Sequence, residues 1–170
     1  TTRRDDLSSS ELLRRADMAM YVSKEGGKNR CTWFSDDFDR NRDVTWQVEA
    51  DLREAIRLQE FRIAYQPLVS AQTGDIVAVE ALLRWKKADG SVVSPGVFIP
   101  IAEKSGLIYQ IGLWVLRKAC REALDWDGIK LSINVSPAQL RNPEFPIELG
   151  HILEETGYPA KTLDHWAKVA

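Results

Sequence analysis

Ile76-Val77-Ala78-Val79-Glu80-Ala81-Leu82-Leu83-Arg84-Trp85 is the stretch whose reading decides the fold. Its run of β-branched and aliphatic residues marks a strand, and side chains on a strand alternate between two faces. Val77, Val79, Ala81, Leu83 and Trp85 make one face wholly apolar, suited to packing under helices. Ile76, Ala78, Glu80, Leu82 and Arg84 make the other, which sets a carboxylate and a guanidinium inside a strand otherwise built for burial. A charge taken out of water without a partner costs several kcal/mol even after relaxation. Two readings account for these residues: a structural Glu80–Arg84 ion pair, or a metal ligand beside a phosphate-binding arginine.

Working outward, Phe61–Val69 reads as a preceding strand and Gly74 as the turn between the two. Gln66 shares the parity of Ala64 and Leu68, which brings it to the inner face as well. Downstream, Ser94-Pro95 opens a short helix and Leu107–Trp126 forms a long one. Ile129–Ser136 is a third strand, with Ile129, Leu131, Ile133 and Val135 on its apolar face and Lys130, Ser132, Asn134 and Ser136 on the other. Asn134 and Ser136 stand at its C-terminal end, where α/β barrels place their reactive groups; an isolated Asn there is also a common turn former. Ser136-Pro137 caps the next helix with Pro at its first position, and Pro146–Thr156 is helical up to Gly157. Alternating strands and helices argue for an α/β sheet or barrel.

Upstream, Ser10–Glu25 is a helix, with a capping box offered by Ser8 and Glu11 and a stop at Gly26-Gly27. Arg30–Phe34 reads as a short strand and Asp36–Arg42 as a charged linker or helix entry. A long amphipathic helix follows, with Val44, Val48, Leu52, Ala55 and Ile56 on one face. The domain boundary falls between Ser35 and Val44. Composition narrows the class: 170 residues, 44% hydrophobic and 28% charged, with a net charge of -2, describe a globular protein. That charge offers no footprint for a nucleic-acid polymer, and no apolar run approaches the roughly 20 residues that span a bilayer. Cys31 and Cys120 match no metal-ligand spacing, and two thiols without a disulfide framework fit a reducing cytoplasm. His151 and His165 lack a partner at ligand spacing, while Trp114 and Trp126 on the long helix are assigned to packing. The start, Thr1-Thr2-Arg3-Arg4-Asp5-Asp6, reads as the middle of a longer chain.

Four linked motifs carry a resemblance. Tyr65-Gln66-Pro67, Glu80-Ala81-Leu82-Leu83-Arg84-Trp85, the stretch from Pro95 to Glu103, and Ser132-Ile133-Asn134-Val135-Ser136 match the EAL family in order and spacing. That family has a TIM-like barrel and hydrolyses cyclic-di-GMP to the linear dinucleotide with two divalent cations, usually magnesium or manganese. The resemblance implies that Glu80 and Asn134 correspond to metal ligands. By the same resemblance Arg84 grips a phosphate, Leu82 lines the ligand groove and Gln66 contacts a guanine. Hard cations take oxygen ligands, and paired metals activate water while stabilising a leaving oxygen.

The front of the chain, Arg15 to Arg30, resembles the final helix and turn of a GGDEF domain. There a Lys and an Arg four residues later contact substrate phosphates in the family; Lys24 occupies the first position, and Lys28 replaces the Arg without its bidentate fork. The bland alternative is a lysine pair on a solvated helix end. The expected organisation is therefore a GGDEF remnant over 1–37 and the N-terminal half of an EAL domain over 38–170, a partial (β/α) barrel with three countable strands. The family would next supply a strand with a metal-binding Glu, an Asp-rich motif, a Lys and a further Glu. The tail Asp164–Ala170 shows neither that Glu nor strand alternation. The expectation is a cytoplasmic fragment of a cyclic-di-GMP signalling protein, inactive by itself, whose exposed sheet edge favours homodimers or domain swapping. The alternative is a degenerate module that binds cyclic-di-GMP or a protein partner without catalysis.

Overall fold

In the computed structural model the backbone is described for residues 8–25, 29 and 31–167, and the side chains for all of these but 21, 22, 25, 36–43 and 164–167. The chain forms two compact units, Thr1–Gln47 and Val48–Ala170.

In the first unit, α1 (Ser9–Glu25) starts where the sequence places its cap. The Glu11 amide donates to Ser8 Oγ at 3.3 Å, one half of the expected capping box. The Glu11 carboxylate turns instead to Arg14 and Arg15, at 2.8 and 2.7 Å. The hydrogen bond from Arg14, then that from Arg15, holds its carboxyl down at about 2. The strand expected over Arg30–Phe34 does not form: Cys31–Ser35 is irregular, because no strand among the described residues offers it a ladder partner. Side chains fasten it to α1 instead. Ser23 Oγ donates to Thr32 Oγ1 at 2.7 Å, and the Arg15 guanidinium lies 4.8 Å from the centre of the Phe34 ring. The charged run after Ser35 is helix, not linker: α2 spans Asp36–Leu58 without a break.

The second unit is a mixed α/β fold. Its sheet comprises β1 (Phe61–Val69), β2 (Ile76–Lys86), the two-residue β3 (Val92–Val93), β4 (Lys130–Val135) and β5 (Leu163–Ala167). The order is β1-β2-β4-β5, with β3 paired to the end of β2. β1 runs antiparallel to β2, while β2, β4 and β5 are mutually parallel. This corrects the expectation of three strands, and with it the reading of the tail: Leu163–Ala167 pairs as a strand in spite of its poor alternation. Between β1 and β2 the chain reverses over Ser70–Asp75. The Gly74 amide closes the turn on the Ser70 carbonyl at 2.8 Å, with Gly74 at φ 79, a left-handed conformation that costs glycine little. The ladder keeps one register from Phe61↔Trp85 to Leu68↔Ala78 and shifts only at Val69.

Helices α3 (Pro95–Ser105), α4 (Leu107–Glu122), α5 (Pro137–Leu140) and α6 (Phe145–Thr156) follow the expected positions, except that α4 stops four residues short of Trp126, which lies in the irregular stretch before β4. Ala81 and Trp85 of β2, Phe98 and Ala102 of α3, Leu131, Ile133 and Val135 of β4 and the apolar face of α4 share one core with Leu52 and Ala55 of α2. Trp85 is fully buried, its ring 5.9 Å from Phe61 and 5.6 Å from Phe98. Its indole N–H donates to Glu60 at 3.0 Å, which satisfies the one polar atom such burial would strand. Trp114 and Trp126 pack as assigned, against Phe61 and Tyr65. Among the described residues no helix is long and apolar enough to cross a membrane.

Candidate functional site

Register brings the candidate residues together. Gln66 on β1 stands directly across from Glu80 on β2, and Glu80 pairs with Ser132 on β4. Asn134 lies two residues further along β4, on the same face as Ser132. Its Nδ2 donates to Glu80 Oε1 at 2.7 Å, a link between residues 54 positions apart in the chain. Leu82 and Arg84 continue the same face of β2 and are half-buried. The ion-pair reading of Glu80 with Arg84 is not what forms: the Arg84 guanidinium donates to the Leu83 carbonyl at 3.0 Å, and Glu80 bonds Asn134.

The amide of Asn134 is only half used. Its Oδ1 is buried and has no hydrogen-bond partner among the described residues. A stranded carbonyl oxygen is costly, and here it lies on an amide already tied to a carboxylate. One charged oxygen donor and one neutral one at the end of a strand suit a hard divalent cation. They suit one such ion rather than a pair, because a single carboxylate cannot offset two neighbouring dications. Among the described residues no cluster of three or more His, Cys, Asp or Glu could hold a metal.

The strand missed in the sequence extends the sheet beyond β4. β5 sets Asp164 in register with Ser132 and Trp166 in register with Asn134. Parallel pairing is the signal that places them, and residue alternation within Leu163–Ala167 does not reveal it. A second missed group is Glu103 on α3, which accepts a hydrogen bond from Ser136 Oγ at 2.5 Å just past the end of β4. Of the remaining candidates, Lys24 is exposed in the last turn of α1, and Lys28 lies outside the described residues. His151 is exposed on α6.

Gln66, Glu80, Ser132 and Asn134 thus share one face of a mixed sheet, with Arg84 further along the same face of β2. A family model described as the EAL domain matches residues 49–164, and the chain belongs to that family. Among curated proteins it is 37% identical over 161 residues to an uncharacterized signaling protein of Caulobacter vibrioides, covering 94% of this chain and 20% of that protein. It is 40% identical over 140 residues to the bifunctional diguanylate cyclase/cyclic di-GMP phosphodiesterase MucR of Pseudomonas aeruginosa, covering 79% of this chain and 20% of MucR. The chain thus spans about a fifth of the length of these relatives. Among solved structures, the PaMucR phosphodiesterase in complex with c-di-GMP superposes with a TM-score of 0.66 at 35% identity, over 70% of this chain and 50% of that one. The FimX EAL domain from Pseudomonas aeruginosa bound to c-di-GMP gives 0.62 at 31%, over 69% and 48%.

Proposed function

We propose that this sequence is the N-terminal half of a cyclic-di-GMP phosphodiesterase domain of the EAL type, within a longer signalling protein. In that reading residues 38–170 begin a (β/α) barrel and residues 1–37 end a GGDEF domain, with Lys24 and Lys28 as remnants of its phosphate contacts. The observation that carries it is the buried, unpartnered Asn134 Oδ1 beside Glu80. Both residues would hold a magnesium or manganese ion; when bound, such an ion polarises a phosphate oxygen. Arg84 orients a phosphate of cyclic-di-GMP by charge-assisted hydrogen bonds. Gln66, across the ladder from Glu80, meets a guanine edge, and Leu82 supplies apolar contact between them. MucR and FimX, whose solved EAL domains bind c-di-GMP, support the ligand class.

The 170-residue polypeptide assayed as it stands binds cyclic-di-GMP weakly and does not turn it over, because Glu80 and Asn134 supply one carboxylate and one amide to a reaction the family runs with two metals. The test is incubation with cyclic-di-GMP and manganese, followed by chromatography for the linear dinucleotide. No product is expected. Product formation abolished in Glu80→Ala would refute the reading of an incomplete site.

A further inference from the structure

Two residues beyond Asn134, the end of β4 is held by a hydrogen-bonded clamp. Ser136 Oγ donates to Glu103 Oε1 at 2.5 Å and accepts from the Ala138 amide at 3.1 Å, so its one proton and a lone pair are both used. The Ser136 amide donates to Gln139 Oε1 at 3.1 Å, completing a capping box on α5. That helix has only four residues, too short to persist by its own hydrogen bonds. Gln139 is 2% exposed, and its amide fills the space over Gly112 of α4 that any Cβ there would need. Glu103 itself is half-buried, but its helix is firmly seated: Ala102 beside it and Phe98, one turn before Ala102, are completely buried in the core. A carboxylate acceptor makes the hydroxyl bond stronger than a neutral one would. Between the clamp and Asn134 stands only Val135, itself buried.

We propose that Glu103 is a positioning residue: through Ser136 it fixes the strand end that carries Asn134, so that the unpartnered amide oxygen stays aimed beside Glu80 where a divalent cation would sit. The inference rests on the metal reading of Glu80 and Asn134. Groups that orient a ligand from behind cost about 10–100-fold in metal affinity when removed, and the lower figure applies to a link one residue removed.

The test titrates Mn2+ alone into the full 170-residue chain and follows paramagnetic broadening of the Asn134 side-chain amide by nuclear magnetic resonance. In the unsubstituted chain that signal should broaden before those of exposed surface amides. Glu103→Ala should need about tenfold more Mn2+ for the same broadening, and Glu103→Gln, which keeps an acceptor at the same reach, should restore most of it. Tyr65→Phe, which removes the Tyr65–Glu122 hydrogen bond on the other face of β1, controls for stability and should leave the titration unchanged. If Glu103→Ala does not fold, Glu103→Asp replaces it; a carboxylate one methylene short should also weaken the response. Broadening in the parent that Glu103→Ala and Glu103→Asp leave unaltered overturns the clamp and spares the metal reading. An Asn134 amide in the parent that Mn2+ does not touch overturns both.

Discussion

Gly112→Ala is a substitution on which helix propensity and tertiary structure disagree in sign. Gly112 lies inside α4, where alanine is favoured over glycine by about 1 kcal/mol. Packing points the other way. A Cβ at this position would stand 1.9 Å from Gln139 Nε2, 2.6 Å from its Cδ and 2.9 Å from its Oε1. To regain ordinary van der Waals contact, the whole amide must retreat by roughly 1.5 Å. A flexible surface glutamine would yield at little cost, but this one is buried and holds the Ser136 amide. Its retreat strands a half-buried donor, at about 1–3 kcal/mol, and overpacks the α4–α5 contact by a similar amount. After the propensity gain, the net expectation is a loss of about 1–5 kcal/mol. Urea denaturation followed by tryptophan fluorescence reads this as a midpoint lowered by about 1 M at unchanged slope. The double variant Gly112→Ala/Gln139→Ala should cost less than the sum of the single changes, because the second removes what the first strikes. A Gly112→Ala chain as stable as its parent, or more so, would refute the reasoning.

Two further substitutions probe charge. Asn134→Asp replaces the amide that bonds Glu80 with a second acid at 2.7 Å, so the native chain should hold a proton between them that the unfolded chain releases. Stability should then fall as pH rises above about 4, and millimolar Mg2+ should reverse the loss; a midpoint flat with pH would contradict this. Glu155 on α6 is lowered by the hydrogen bond from Arg117 and by the charges of Arg117 and Arg121 on α4. A depressed carboxylate stabilises above its unfolded value, about 4.3, and loses that contribution as pH falls through its folded one. Glu155→Gln should therefore flatten part of the acid limb of a urea-midpoint profile while leaving Asn134 unaffected.

Much of the second unit was legible because its signals are local. Period-two parity isolated β1, β2 and β4, and the Ser136-Pro137 pair placed the start of α5. The same parity gathered Gln66, Glu80 and Asn134 on inner faces, and register then set the first two opposite each other. What parity could not supply was pairing. Arg84 lies four residues from Glu80 and looked like its natural partner, yet four residues along a strand span about 13 Å, whereas Asn134 on the neighbouring strand comes within hydrogen-bond distance. Leu163–Ala167 has little strand character of its own; the free edge of β4 imposes it. Cys31–Ser35 is the converse case, β-prone residues that find no ladder. Glu103 was invisible for the same reason as the pairing of Glu80: its partner is 33 residues away.

The register shift at the end of the β1–β2 ladder gives the hairpin a place to absorb changes of length. Between Phe61↔Trp85 and Leu68↔Ala78 one added residue would turn Gln66 away from Glu80, since each step along a strand exchanges its faces. Beyond Leu68 the ladder is already out of step, and Ser70–Asp75 closes by two backbone hydrogen bonds that touch neither Gln66 nor Glu80. Gene-level insertions and deletions should therefore collect at Ala71–Thr73 and spare the eight paired residues on either side, Phe61–Leu68 and Ala78–Trp85. A reporter loop grafted between Gln72 and Thr73 would ride on the domain without disturbing the row formed by Gln66, Glu80 and Asn134.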